Sequence, residues 1–123
     1  MNNITLSALP KTWIIDVDGT IVKHNGHLGD RDDLLDGVKE FFAKIAAQDK
    51  IILLTARKKI YEEQLVIFLK NNGIRFDQII CDLPTGERII LNDKKPSGLK
   101  TAYAINVDRD APLEVKVKID KSL

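Results

Sequence analysis

Two acidic residues, Asp16 and Asp18, directly follow a short apolar run and are themselves followed by Gly19. Because residues two apart in an extended chain point to the same side, both carboxylates should face one region. Two neighbouring carboxylates repel each other, so leaving both ionised needs a cation or a shared proton. A divalent metal on one carboxylate and a proton on the other resolve that conflict. The pair therefore predicts one nucleophile or metal ligand and one general acid/base.

Two other interpretations of these residues need weighing. Asp-x-Asp-Gly also begins a calcium-binding loop, but the twelfth residue counted from Asp16 is His27, where such a loop has glutamate. Asp-Gly also forms ordinary turns. An ordinary turn does not explain why an apolar strand runs directly into the first carboxylate, so we favour a chemical role for the pair.

Short apolar runs alternate along the chain with segments of helical periodicity. The apolar runs predict strands over residues 12–15, 50–54, 78–81 and 88–91, a further strand over 101–107 and an edge strand over 114–119. The spacing of apolar residues predicts helices over about residues 37–48 and 59–72. Residues 21–36 are polar and contain two glycines, which indicates a loop or a small hairpin.

This alternation predicts an α/β fold, a three-layer α/β/α arrangement around a mostly parallel, Rossmann-like sheet. We expect a single domain over residues 1–123, with its core at about 12–108 and with 109–123 as an edge strand or tail. Ligands of such sheets bind at the carboxyl ends of the strands. Those ends carry the Asp16–Asp18 pair, then Thr55, then Asn92 with Asp93, and we expect all three groups to converge on one edge.

Three segments together resemble the motifs of the haloacid dehalogenase-like (HAD) superfamily of phosphatases. Trp-Ile-Ile-Asp-Val-Asp-Gly-Thr at 13–20 resembles the first motif, Leu-Leu-Thr-Ala-Arg at 53–57 the second, and Ile-Ile-Leu-Asn-Asp at 89–93 the fourth. The resemblance covers roughly residues 12–108. Asn-Asp-Lys-Lys-Pro at 92–96 and Ala-Ile-Asn at 104–106 also resemble small members found near sugar-nucleotide or capsule-biosynthesis enzymes.

The resemblance implies a mechanism with a covalent intermediate. Asp16 would attack phosphorus and form an aspartyl-phosphate, while Asp18 would protonate the leaving oxygen and then activate water. Thr55 would hold the phosphoryl oxygens. Asp16, Asp93 and the backbone carbonyl of Asp18 would hold Mg²⁺, with Asn92 as an extra ligand.

The family also uses a lysine, usually between its second and fourth motifs, to offset the charge of nucleophile and phosphate. This chain has Leu83 where small relatives often carry that lysine before a Pro-x-Gly turn. We favour Lys95, directly after the fourth motif, for this role. Lys58, Lys94 and Arg57 remain alternatives.

Composition narrows the class of protein. The chain has 19 basic and 18 acidic residues, which argues against an electrostatic nucleic-acid binder. We expect no membrane span, because no apolar run approaches roughly 20 residues, and no signal peptide, because a basic start with an apolar core is lacking. A single cysteine, Cys81, favours a reducing, cytoplasmic location.

The function predicted from these motifs is Mg²⁺-dependent hydrolysis of a phosphate monoester, such as a sugar phosphate or another phosphorylated metabolite. The alternative is a catalytically weak phosphate- or metal-binding regulatory module derived from such an enzyme, suggested by the missing lysine. A two-component receiver domain has a different acidic pattern. The motif spacing leaves no room for a separate cap domain, so we expect an open site, with either a large substrate or closure by a second subunit of a homo-oligomer.

Overall fold

The computed structural model describes residues 2–29 and 31–123, and five strands and two α-helices lie within them. Two single-turn 3₁₀ segments, Gly26–Leu28 and Lys59–Tyr61, lie between these elements. The strands are β1 Asn2–Leu6, β2 Thr12–Asp16, β3 Lys50–Leu54, β4 Gln78–Ile80 and β5 Val115–Ile119, and the helices are α1 Val38–Ala43 and α2 Glu62–Asn71.

The central sheet has the order β2–β3–β4, and both of its strand pairs are parallel. Asp16 lies opposite Leu54, which in turn lies opposite Ile80, so all three strands end at the same edge. The chain is therefore an α/β protein with parallel sheets. The strands predicted at 12–15, 50–54 and 78–81 are confirmed to within one residue at their carboxyl ends.

A second sheet joins the two ends of the described chain, because β1 pairs with β5 in parallel. The strand predicted over 114–119 is confirmed as β5, whereas its partner β1 was not predicted from the sequence. Ile4 and Leu6 of β1 are half-buried and alternate with exposed residues, as one covered face requires. The polar residues Asn2 and Asn3 mask this pattern in the sequence.

One face of the central sheet carries the hydrophobic core. Ile15 of β2 and Leu53 of β3 are opposite each other in register and are buried together with Leu65 and Leu69 of α2. Leu65 and Leu69 stand four residues apart and therefore lie on one side of their helix. Burying each such side chain stabilises the fold by about 1.5–3 kcal/mol.

Both helices are shorter than the sequence predicts. Helix α1 ends at Ala43, because the amides of Lys44 and Ile45 bond to carbonyls three residues back, which tightens the chain before it enters β3. Helix α2 ends before Gly73, whose φ of 72° fits a C-terminal glycine. Within residues 2–29 and 31–123, no helix has both the length and the apolar character needed to cross a membrane.

The opposite face of the central sheet is partly open. Ile14 of β2 and Ile80 of β4 are 46% and 42% exposed. Trp13, on the core face, packs against Phe41 of α1 with ring centroids 5.6 Å apart, and α2 joins the same core cluster. The two described helices thus lie on one face of the sheet.

The predictions of strands over 88–91 and 101–107 are wrong, because both segments are irregular. The amides of Asp82 and Leu83 still donate to carbonyls of Arg57 and Thr55 at 2.8 and 3.2 Å. Pro84 has no amide hydrogen, so this pairing ends there. Beyond it the apolar run gains little burial, because Ile89 and Leu91 are 81% and 93% exposed.

Candidate functional site

A tight turn after β2 places both acidic residues at the carboxyl edge of the sheet. The amide of Val17 donates to Leu54 at 3.0 Å and extends the pairing with β3 by one residue. Gly19 then turns the chain with a φ of 85°, and its amide donates to the carbonyl of Val22 at 2.7 Å. A Cβ at Gly19 would also lie 3.1 Å from the Arg109 side chain, so the turn needs glycine.

Asp16 is bound on both carboxylate oxygens. The Thr20 hydroxyl donates to Oδ2 at 2.9 Å, and Nη1 of Arg88 lies 2.6 Å from Oδ1. The side chains of Asp16 and Arg88 are each 35% exposed, so solvent reaches this ion pair. The contact brings a cation from the irregular segment after β4 onto the predicted nucleophile.

Asp18 is more deeply buried than Asp16, and its partners are residues that directly follow β3. The Thr55 hydroxyl donates to its Oδ2 at 2.9 Å, and Nε and Nη2 of Arg57 lie 3.0 and 2.9 Å from its Oδ1. The Asp18 side chain is only 14% exposed. The structure therefore brings together the ends of β2 and β3, with Thr55 and Arg57 fixing the carboxylate of Asp18.

Arg57 has a second carboxylate partner, Asp32. Nη1 and Nη2 of Arg57 donate to Oδ2 and Oδ1 of Asp32 at 3.1 and 2.7 Å. Desolvation by burial opposes the charge on Arg57, but hydrogen bonds with Asp32 and Asp18 outweigh it and raise the pKa of the guanidinium above its ordinary value. The sequence gives no signal for Asp32, which stands in a polar, charge-rich loop with other acidic residues.

The residues of the predicted fourth motif lie apart from this pair. The Asn92 amide donates to the Thr101 hydroxyl at 2.9 Å, and that hydroxyl donates to the main-chain oxygen of Asp93. Lys95 begins a turn in which its amide donates to Leu99 at 3.1 Å. Across residues 2–29 and 31–123, neither Asp93 nor Lys95 forms a side-chain hydrogen bond or ion pair with Asp16 or Asp18.

A magnesium ion fits this edge only in part. Within the described chain, no three His, Cys, Asp or Glu side chains lie close enough together to hold a metal ion. Mg²⁺ often binds through one or two carboxylates and completes its shell with water and substrate phosphate. The carboxylate of Asp16 is partly exposed, but Arg88 is bound to its Oδ1 and would have to move before Mg²⁺ could bind that oxygen. Asp93, as placed here, adds no ligand.

Two histidines lie in the loop beside Arg57. The Nδ1 atoms of His24 and His27 are buried without a hydrogen-bond partner in the described structure. The His27 ring meets Tyr61 edge to face, 4.8 Å between centroids. Burial and the nearby charge of Arg57 lower the pKa of His27 below its ordinary value, so the neutral ring is favoured.

No protein-family model matches the chain, and no curated protein or solved structure matches it either. The observations that bear on function are therefore the residues arranged at the sheet edge. That arrangement consists of Asp16 with Arg88, and of Asp18 with Thr55 and Arg57.

Proposed function

We propose that the protein is a Mg²⁺-dependent phosphomonoester hydrolase of the HAD-like type. The observation that carries the proposal is the pairing of two carboxylates at one edge of a parallel sheet, with the Thr55 hydroxyl 2.9 Å from Asp18 and a guanidinium 2.6 Å from Asp16. Nucleophile, acid/base, hydroxyl donor and cation are the groups that phosphoryl transfer through a covalent intermediate uses.

The proposal extends to the architecture. A capless, three-layer α/β/α domain of this type would cover both faces of the central sheet. The parallel order β2–β3–β4 supports it, because it sets the acidic pair and Thr55 at one edge. The exposed Ile14 and Ile80 mark the face on which a further layer would lie.

The reaction divides between the two carboxylates. A carboxylate oxygen of Asp16 attacks phosphorus, and the bond from phosphorus to the substrate oxygen breaks as Asp18 gives that oxygen a proton. Asp18 then takes a proton from water, whose oxygen attacks the aspartyl-phosphate and releases inorganic phosphate. Mg²⁺ on Asp16 and the main-chain oxygen of Asp18 would supply charge neutralisation for the phosphoryl group.

Arg88 fits the role of the missing cation better than Lys95 does. It lies between the second and fourth motifs in the sequence, where the family's lysine usually stands. Its guanidinium contacts the nucleophile itself, 2.6 Å from Oδ1 of Asp16. A planar guanidinium binds phosphate oxygens well, because its donors are set in a fixed fork.

Substrate access follows from the motif spacing. With no cap, the substrate is a sugar phosphate or another phosphorylated metabolite enclosed by a second copy of the chain, or a larger phosphorylated molecule that needs no enclosure. Gel filtration separates the two cases, since the first requires a homo-oligomer. We propose no nucleic-acid partner, since basic and acidic residues nearly balance.

Hydrolysis of an aryl phosphate and of a panel of sugar phosphates with Mg²⁺ tests the proposal. We expect turnover by the wild type, loss of turnover on adding EDTA, and no turnover by Asp16→Asn. Asp33→Asn is the matched control, because Asp33 is an exposed carboxylate whose ion pair, with Arg31, lies outside the candidate site. Absence of hydrolysis across the whole panel would contradict the proposal.

The alternative is a regulatory module that binds phosphate or Mg²⁺ without turnover. The position of Asp93 favours it, because within the described residues no three His, Cys, Asp or Glu side chains are arranged to hold a metal ion. Isothermal titration with Mg²⁺ and inorganic phosphate, read beside the hydrolysis assay, separates the two functions. Binding without hydrolysis supports the module, and hydrolysis that depends on Asp18 rules it out.

A further inference from the structure

The loop between β2 and α1 brings a buried acidic residue to the site. An antiparallel bridge between Val22 and Leu34 closes this loop at its base. Asp32, two residues before the bridge, is 8% exposed, and its side chain reaches Arg57. A buried carboxylate in a polar loop is uncommon unless it is paired, so this contact calls for a role.

The contact between Asp32 and Arg57 is bidentate and almost fully enclosed. The Arg57 and Asp32 side chains are 1% and 5% exposed, and two N–H groups of the guanidinium meet the two oxygens of Asp32 at 3.1 and 2.7 Å. A two-point contact of this kind fixes the plane of the guanidinium as well as its position.

The same guanidinium also holds Asp18. Nη2 of Arg57 is shared, 2.7 Å from Oδ1 of Asp32 and 2.9 Å from Oδ1 of Asp18. Nε of Arg57 donates to Asp18 from the adjacent corner at 3.0 Å. Because the guanidinium is rigid, the orientation that Asp32 imposes on it is passed on to the Asp18 carboxylate.

We infer that Asp32 is a positioning residue. By binding the same guanidinium of Arg57 that binds Asp18, it fixes the Asp18 carboxylate for proton transfer. This inference rests on the proposed function, in which Asp18 gives a proton to the leaving oxygen and takes one from water. If the contact between Asp32 and Arg57 served only to stabilise the fold, removing it would leave kcat unchanged in a variant that still folds.

Asp32→Asn tests the inference, with Asp49→Asn as its matched control. Asp49 is also a buried carboxylate, which accepts hydrogen bonds from Trp13 Nε1 and the Lys11 amide at 3.0 Å each. It lies at the amino-terminal ends of β2 and β3, whereas the acidic pair lies at their carboxyl ends. We expect Asp32→Asn to lower kcat by about 10²-fold, with KM nearly unchanged. Asp49→Asn should lower Tm and leave kcat at the wild-type value.

Rescue separates positioning from loss of packing. Asp32→Glu keeps the carboxylate, so it should recover part of the kcat that Asp32→Asn loses. If Asp32→Asn does not fold, Gly26→Ala takes its place, since an added Cβ there lies 3.0 Å from the Arg31 carbonyl and 3.6 Å from Asp32 Oδ1. Lower kcat at unchanged KM supports the inference, and wild-type kcat in the folded variant overturns it.

Failure of the proposed function is distinguishable from failure of this inference. If the wild type hydrolyses no phosphoester, crystal structures of the wild type and Asp32→Asn decide the positioning role by themselves. An Asp18 carboxylate that has left the Thr55 hydroxyl in the variant supports it. An unchanged hydrogen bond between Asp18 and Thr55 overturns it.

Discussion

The two carboxylates of the site are each held by an arginine, yet the two contacts differ in almost every physical respect. The Arg57 side chain is 1% exposed and bridges Asp18 and Asp32, whereas Arg88 and Asp16 are each 35% exposed and paired one to one. A buried pair is costly to break, because it leaves a charge without a partner. An exposed pair is readily exchanged, because water screens it. The two arginines therefore differ in kind: Arg57 fixes the Asp18 carboxylate in place, and Arg88 is free to exchange its contact with Asp16.

The difference matches what each carboxylate must do. In the proposed reaction Asp18 transfers protons from a fixed position, so a rigid, enclosed partner suits it. In the same proposal Asp16 meets a phosphoryl group and a metal ion, so its cation has to be able to move to the incoming phosphate. A buried arginine at Asp16 would block that exchange.

The largest expected effect is on stability, from removing the buried guanidinium. Arg57→Ala leaves Asp18 and Asp32 as neighbouring buried carboxylates without a cation, and we expect a loss of about 3–5 kcal/mol in the free energy of unfolding. Arg88→Ala should lose only about 0–1 kcal/mol. Urea denaturation at neutral pH measures both, and equal losses would break the distinction.

The next effect is on catalysis, from removing the exposed guanidinium. Arg88→Ala removes the cation that faces the nucleophile, so we expect kcat to fall by about 10²–10³-fold in a protein of nearly wild-type stability. Lys95→Ala is the matched comparison, because the motif resemblance favours Lys95 for the same role. A larger fall in Lys95→Ala than in Arg88→Ala would reassign the cation.

The smallest effect is a pH dependence that arises beside the buried pair. Burial and Arg57 lower the pKa of His27 in the folded protein, whereas the unfolded chain takes up its proton near the ordinary value of 6.5. The unfolded state therefore binds more protons as pH falls through about 6.5 and below, so the free energy of unfolding decreases there. His27 alone contributes a slope of at most about 1.4 kcal/mol per pH unit.

His27→Gln checks that contribution. Thermal unfolding from pH 7.5 to pH 5 should show a flatter decline for the variant than for the wild type. Identical declines would mean that the ring is not held in its neutral form by burial and Arg57. Arg88→Ala should leave the wild-type decline in place, because burial and Arg57 are the main causes of the shift in His27.

Much of the central sheet can be predicted from the sequence, because strands that pack against helices consist largely of consecutive apolar residues. Lys50–Leu54 is such a run, and it becomes β3 at its predicted bounds. The meeting of Asp18 and Thr55 also follows, since parallel strands end at one edge. The segment 88–91 has the same apolar character but lacks a neighbouring strand, and local composition carries no information on that point.

The features that the sequence hides depend on tertiary closure. In the sequence nothing distinguishes Asp32 from the other acidic residues of its loop, because its partner Arg57 lies 25 residues away along the chain. Arg88 contacts Asp16, which lies 72 residues earlier in the chain. The family resemblance implies a lysine as the cation beside the nucleophile, so it gives no reason to select this arginine. β1 pairs with β5 across nearly the whole chain, so neither strand has a local signal of its partner.

Intact-protein mass spectrometry of Asp18→Asn, incubated with an aryl phosphate and Mg²⁺, tests the central claim most directly. Without the base that activates water, the covalent intermediate should accumulate, and the protein should gain the mass of one phosphoryl group on Asp16. The double variant Asp16→Asn/Asp18→Asn should gain none. An unmodified Asp18→Asn protein in a preparation whose wild type hydrolyses the substrate, or a phosphoryl group on another residue, would contradict the account.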